Sequence, residues 1–174
     1  FAILLVVLFW MRKLRALNRK LEKLAITDRL TGLYNRLKLD EVLESEVARA
    51  LRSGQPFSVI LIDIDHFKQV NDRHGHQAGD QVLIDIAELL RTRTRAIDFV
   101  GRWGGEEFLI VCPHTDAAGA IRLAENLRLT LHDHRFPVVE HGTHQRQCAL
   151  VQQALHVGSR HGGADLVEEV RHLA

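Results

Sequence analysis

"RWGGEEFLIV", Arg102 to Val111, sets two glycines against two glutamates between stretches that otherwise read as strand. "DFVGRW" before the glycines and "EFLIVCP" after them predict a β-hairpin closed by a tight turn at Gly104-Gly105. Adjacent like charges repel, so Glu106 and Glu107 call for a cationic neighbour: a lysine, a solvent shell or a metal ion.

Working outward, "FSVILIDID" (Phe57 to Asp65) is a short apolar run rich in β-branched residues, a buried strand. Asp63 and Asp65 stand at i and i+2 at its end and share a face. Carboxylates there, beside a hairpin bearing two glutamates, suit an oxygen-ligand site for a hard cation. The plainer alternative is that strand ends and turns collect acids. "HFKQVNDRHGHQAGD" follows, in which Lys68 can meet phosphate as a point charge and Gly75 and Gly79 allow the backbone to turn. Asn71 and Asp80 offer the donors and acceptors that suit a purine edge, or else cap the next helix. "RTRAID" holds Arg95 and Asp98, whose default reading is a helix-end salt bridge.

Three segments carry apolar residues at helical spacing: "LDEVLESEVARALRSG", "AGDQVLIDIAELLRTRTR" and "DAAGAIRLAENLRLTLHDH". The order helix, strand, helix, strand–turn–strand, helix predicts an α/β (α+β) sandwich, a mixed central sheet with flanking helices. After Pro137 the pattern degrades, and no clean strand is expected in "VVEHGTHQRQCALVQQALHVGSRHGG". His141, His144 and Cys148 have ligand-like spacing there but lack a fourth partner for zinc.

The chain has 174 residues, 46% hydrophobic and 26% charged, as expected of one globular domain with an appendage. A formal charge of +1 gives no polyanion-binding character, so no nucleic-acid partner is expected. Two cysteines, Cys112 and Cys148, make no disulfide framework and fit a reducing cytoplasm. The first ten residues, "FAILLVVLFW", would cover about 15 Å as a helix, against a bilayer core of about 30 Å. With the basic run "MRKLRALNRKLEK" behind them, residues 1–11 read as the cytoplasmic end of a transmembrane helix that begins before Phe1, anchored in the inner membrane. A signal-peptide core or a buried helix end is the alternative. Residues 12–26 read as a basic linker helix. Leu14, Leu17, Leu21 and Leu24 lie on one stripe, the seam of a short coiled coil or a face docked on the chain's own domain.

Taken together, these segments resemble the GGDEF family, the diguanylate cyclases. "TDRLTGLYNR" (Thr27 to Arg36) is similar to the family's opening motif. "DIDHFKQVNDRHGHQAGD" (Asp63 to Asp80) matches its nucleotide-binding stretch, and "RWGGEEF" its signature in GGEEF form. "RAID" ends five residues before GGEEF, where the family keeps an inhibitory product site. The likeness covers about residues 25 to 137, with a domain core at 27–137. It implies a palm-like fold shared with nucleotidyl cyclases and polymerases. It also implies condensation of two GTP into cyclic di-GMP across a homodimer, with release of pyrophosphate. By the same resemblance Asp63, the Ile64 carbonyl and Glu106 hold Mg²⁺ (or Mn²⁺), and Glu107 joins the metal or takes the hydroxyl proton. Asn71 and Asp80 read guanine, and Lys68 with the backbone at His66 and Phe67 holds phosphate. Gly104 and Gly105 let the nucleotide approach the backbone, while Arg95 and Asp98 bind product as an inhibitor.

The end of the chain departs from the family. Residues 138–174 read as a degenerate terminal part, with Ala154-Leu155 and Gly162 in place but Ser159 and Gly163 where family members carry a phosphate-binding lysine and arginine. The departure implies an uncovered sheet edge and weak turnover. It also keeps open a second role, a catalytically impaired receptor for GTP or cyclic di-GMP.

Overall fold

The computed structural model describes residues 7, 9–13 and 26–137, together with the backbone of Ala149–Val157. Among the described residues, after a helical stretch at 9–13, the elements run α1 (Arg36–Ser53), β1 (Phe57–Ile64), α2 (Phe67–His74), α3 (His76–Arg93), β2 (Phe99–Arg102), β3 (Glu107–Pro113), α4 (Ala117–Asp133) and β4 (Ala149–Val157). The strands form one sheet in the spatial order β2-β3-β1-β4.

The described strand pairs are all antiparallel, where a mixed sheet was expected. The reason is topological. β1 and β2 run in the same direction, as do β3 and β4, but in each case a third strand is inserted between the two. The result is a split β-α-β unit used twice, which leaves no parallel ladder. The one parallel contact among the described residues is the isolated bridge between Tyr34 and Gly101.

β1 and β3 read as nearly unbroken apolar runs because both faces of the sheet are covered. Ile60, Ile62, Phe108 and Ile110 pack on the side of α2, α3 and α4, against Phe67, Val70, Leu83, Ile86, Leu90 and Leu127. The alternate residues Phe57, Val59, Leu61, Leu109 and Val111 pack on α1 through Leu39, Val42 and Leu43, with Trp103. Asn35 caps α1 by accepting from the Lys38 N–H, and Gly54 ends it in the left-handed conformation at φ 67°.

β4 is a second correction. A strand does follow Pro137, and it pairs along β1 from Phe57↔Val157 to Ile64↔Ala149. The edge of β1 expected to be bare is therefore covered. "ALVQQALHV" lacks period-two alternation because of its central glutamine pair, so its strand character comes from the backbone ladder with β1 rather than from a local pattern. The register shifts between Leu61 and Asp63, a bulge-like irregularity opposite the end of β1.

On the other side of the sheet, the segment before α1 lies along β2. The Tyr34 N–H donates to the Val100 carbonyl at 3.2 Å, and the Arg102 N–H donates to the Tyr34 carbonyl at 2.8 Å. Gly101 makes this approach feasible: a Cβ there would stand 2.5 Å from both the Tyr34 oxygen and Leu39 Cδ1. Gly101→Ala should therefore lower the unfolding free energy by about 2 kcal/mol, the range for overpacking a buried site. Urea titration of the variant beside the parent measures it, and an unchanged midpoint would contradict the packing described.

Candidate active site

The odd-numbered row of β1 that packs on α1 ends in a carboxylate. Asp63 continues the sequence Phe57, Val59, Leu61, and its register partner on β3 is Glu107. Two acids are thus paired across neighbouring strands at the end of a rigid, doubly covered strand pair. Cross-strand like charges at that spacing are destabilising unless something offsets them.

Glu106 lies in the loop between β2 and β3. The turn expected at Gly104-Gly105 is a loop of four residues, 103–106. The N–H groups of Trp103 and Gly104 both donate to the Glu107 carbonyl, at 2.8 and 3.3 Å, and close its base. Neither Gly104 nor Gly105 adopts a left-handed conformation, so neither is required by the turn itself. They matter through absence of bulk. A Cβ on Gly104 would stand 2.5 Å from Glu107 Oε2, and around Gly105 the space within 4 Å is open.

The electrostatics of the three acids agree with their crowding. Burial raises the Asp63 carboxyl, opposed by a hydrogen bond from the Ile64 N–H and reinforced by the charge of Asp65. Glu106 is raised by burial and then by Asp63. Glu107 is raised by burial and by Asp63 and Glu106, with Arg36 acting in the opposite direction. Among the described residues, no three His, Cys, Asp or Glu side chains converge as a preformed cation cage. Mg²⁺ ordinarily takes one or two carboxylates and completes its shell with water and substrate phosphate. The donors here, carboxylates with the Ile64 carbonyl at the strand end, are the oxygen ligands such an ion selects.

Beyond Ile64 the chain turns through Asp65 and His66 into α2. His66 sits at φ 58°, an uncommon left-handed conformation for a residue with a side chain. Phe67 is buried, while Lys68 is exposed and makes no ion pair among the described residues. Asn71 is half-buried on α2, and Asp80 is exposed in the first turns of α3. Gly75, at φ 82°, separates the two helices as expected. Gly79 does something different: it is buried within α3, and a Cβ there would overlap Asn71 Oδ1. Its role is to admit the Asn71 amide beside α3, next to Asp80, and not to turn the chain.

Arg95 and Asp98 form a turn at the far end of β2 from the glutamates. The four residues of that strand separate the two regions by about 13 Å. The Arg95 N–H donates to Asp98 Oδ2 at 2.9 Å, and the Asp98 N–H donates back to the Arg95 carbonyl at 3.0 Å. The link is through the backbone, so the expected helix-end salt bridge is replaced and the exposed Arg95 guanidinium is not engaged by Asp98. Asp98 Oδ1 is buried without a hydrogen-bond partner. Burial raises that carboxyl, opposed by the bond to Arg95 and by the arginine's charge.

Sequence reasoning missed a further set of residues. Arg102 joins the hairpin to the opening motif, and Arg36 lies over the Trp103 ring at 4.6 Å from its centroid. No periodicity links positions so far apart. The signal available was that each lies inside a motif already singled out. Ser159, Gly163, the zinc-like tail residues and the leucine seam at 14–24 lie outside the described residues.

Comparison with known proteins agrees with this arrangement. The family described as "Diguanylate cyclase, GGDEF domain" matches residues 25–166, continuing past Pro137 through β4. Response regulator PleD of Caulobacter vibrioides is 43% identical over 152 residues, 87% of this chain and 32% of that protein. A diguanylate cyclase of Vibrio cholerae is 43% identical over 155 residues, 89% of this chain and 46% of that protein. The chain thus spans less than half the length of either relative. Among solved structures, the GGDEF domain of DgcB from Caulobacter crescentus in complex with c-di-GMP superposes with a TM-score of 0.74 at 29% identity, covering 85% of this chain and 86% of that one. With the paired strand ends, the glycine loop and a family match over most of its length, the chain belongs to the GGDEF family of diguanylate cyclase domains.

Proposed function

We propose that the chain is a diguanylate cyclase output domain, which condenses two GTP into cyclic di-GMP and releases two pyrophosphates. The observation that carries this reading is the crowding of Asp63, Glu106 and Glu107 at one end of two buried strands, beside a loop whose glycines leave the backbone open. Negative charge gathered at one point, with Arg36 the cation acting on Glu107, suits a substrate that arrives with a cation of its own. Asp63, the Ile64 carbonyl, Glu106 and Glu107 would hold Mg²⁺ or Mn²⁺, which when bound offsets phosphate charge and polarises the attacked phosphorus.

The chain's own residues supply the rest. Glu107, held at the strand end opposite Asp63, takes the proton of the 3′-hydroxyl that attacks the α-phosphate of the second nucleotide. Asn71 and Asp80 hold the guanine edge, and Gly79 keeps the Asn71 amide against α3. Lys68 and the N–H groups at the turn into α2 take phosphate. Arg95 presents its fork to product guanine beside the unsatisfied Asp98 oxygen. Because each domain holds one nucleotide, turnover requires two chains, and a homodimer is the working unit.

The N-terminal residues support attachment to the inner membrane, with the domain on its cytoplasmic side. Residues 9–13 are helical, with Phe9 and Trp10 exposed and Lys13 Nζ 5.2 Å from the Trp10 ring centroid. An aromatic residue next to a basic one is the pattern of a helix leaving a bilayer. No helix among the described residues is long and apolar enough to cross a membrane. A second reading, a receptor that binds GTP or cyclic di-GMP with little turnover, is favoured by one observation, the absence of the phosphate-binding cations at Ser159 and Gly163. Incubation of the purified chain with Mg²⁺ and GTP, followed by chromatography, separates the two: cyclic di-GMP and pyrophosphate support the cyclase, and bound but unconverted nucleotide supports the receptor.

Glu107→Gln should abolish turnover, a loss of at least about 100-fold, with GTP affinity changed little. The same variant has a second expected effect. A carboxyl with a raised folded-state pKa binds protons more tightly folded than unfolded, so metal-free stability falls as pH rises through the carboxylate range. Removing the charge should raise the metal-free melting temperature at pH 7 by roughly 1–3 °C. Thermal scans in chelator, with and without added Mg²⁺, read this directly.

Arg95→Ala should relieve inhibition by added cyclic di-GMP while initial rates at low product stay at the parent value. Titration of product into the assay checks it, and an unaltered inhibition curve would remove Arg95 from the product site. In a chain lacking residues 1–24, specific activity should rise with enzyme concentration. A flat dependence from a protein monomeric by light scattering would oppose the dimer.

A further inference from the structure

The Arg102 side chain ties the opening turn to the catalytic loop. Residues 27–34 form a closed turn: Thr27 bridges Tyr34, the Asp28 N–H donates to the Leu33 carbonyl at 2.8 Å, and Gly32 takes φ 70°. The Asn35 N–H donates to the Ile26 carbonyl at 3.1 Å, so the two ends of the turn are held together. Asp28 organises its interior, accepting from the Thr31 N–H at 2.9 Å and the Thr31 hydroxyl at 2.8 Å. Its second role points outward. Arg102 Nη1 reaches Asp28 Oδ1 at 3.4 Å, while Nε and Nη2 of the same guanidinium donate to the Gly105 carbonyl at 3.1 and 2.6 Å.

The Gly105 carbonyl belongs to the peptide whose nitrogen is that of Glu106. No atom lies within 4 Å of where a Gly105 Cβ would stand, so side-chain packing does not fix that residue. A glycine left to itself samples many conformations. Here the planar fork of Arg102 holds the peptide plane that precedes Glu106. The fork in turn is aimed by Asp28 in a half-buried pair, with side-chain exposures of 19% for Arg102 and 24% for Asp28. Burial alone would raise the Asp28 carboxyl, but the Thr31 hydrogen bonds and the Arg102 charge outweigh it and hold it low.

We infer that Asp28 and Arg102 are positioning residues for the GGEEF loop, and that the opening turn helps set where Glu106 stands through the relay Asp28, Arg102, Gly105. The inference rests on the cyclase reading for its effect on rate, but its structural part stands apart from that reading. The consequence lies at the junction between input and output. Ile26 and Thr27 open the described part of the domain, so the relay ties the entry of the domain to the loop that carries Glu106. The guanine contacts assigned to Asn71 and Asp80 lie on α2 and α3, which the relay does not touch. A loosened loop therefore slows the chemical step more than it weakens nucleotide binding.

Two substitutions in the 174-residue chain test the relay. Asp28→Asn keeps the oxygen that accepts from Thr31 and removes only the charge facing Arg102. Arg102→Lys keeps the charge but supplies one ammonium in place of a fork, which cannot serve Asp28 and Gly105 together. Each variant should show amide exchange at residues 104–107 faster by about ten-fold, kcat lower by about ten-fold and KM for GTP within about two-fold of the parent. The double variant should be no worse than Arg102→Lys alone, since both act through one contact. Unchanged exchange at 104–107, or losses that multiply in the double variant, would overturn the relay. A parent chain that makes no cyclic di-GMP would instead overturn the cyclase reading, and the exchange comparison would still decide the relay.

Discussion

The site depends on two strands that have no solvent-facing side. β1 and β3 are covered by α1 on one face and by α2–α4 on the other, so their backbones are held over their full length by packing on both sides. Asp63 and Glu107 are the last pair in the register of that rigid core. Two acids on flexible loops would move apart and take up water. On the ends of interdigitated strands burial raises the proton affinity of both, and like charges add to it, Asp65 at Asp63 and Asp63 with Glu106 at Glu107. The apolar sandwich thus does electrostatic work at its rim.

The loop carrying Glu106 solves a different problem. It has to be open for a nucleotide and yet keep one carboxyl in place. Openness comes from Gly104 and Gly105, and order comes from elsewhere: the Glu107 carbonyl at the base and the Arg102 guanidinium at the side. Trp103 anchors the start of the loop in the α1 side of the core at 2% exposure, with Arg36 over its ring. Preorganisation here is divided between backbone, the buried Trp103 ring and the Arg102 guanidinium.

Much of this was legible in the sequence, and the reasons differ by element. Helices α1, α3 and α4 announce themselves by apolar spacing, and β1 and β3 by length and β-branching. The site acids were legible because charge inside otherwise apolar strands is costly and so stands out. What stayed hidden depends on contacts between distant positions. β4 has no alternation of its own and is a strand because β1 offers it a ladder. Gly79 reads as a turn residue until the Asn71 amide is seen against it. Arg102 and Asp28 are ordinary members of two motifs until one guanidinium is found to join them. The antiparallel sheet was misjudged because strand direction follows from the order in which strands insert, which local patterns do not encode.

That order of insertion has a consequence for synthesis. β1 is central, and its two neighbours are β3, about fifty residues later, and β4, which ends near residue 157. As the chain leaves the ribosome, the strand bearing Asp63 gains one partner early and waits for the other until nearly the whole domain has emerged. During that interval one edge of an apolar strand offers unpaired N–H and C=O groups, the template on which chains mispair. The last strand closes this edge, so damage to the chain near residues 149–157 would be felt first as poor yield and aggregation, before any fault in chemistry could be measured.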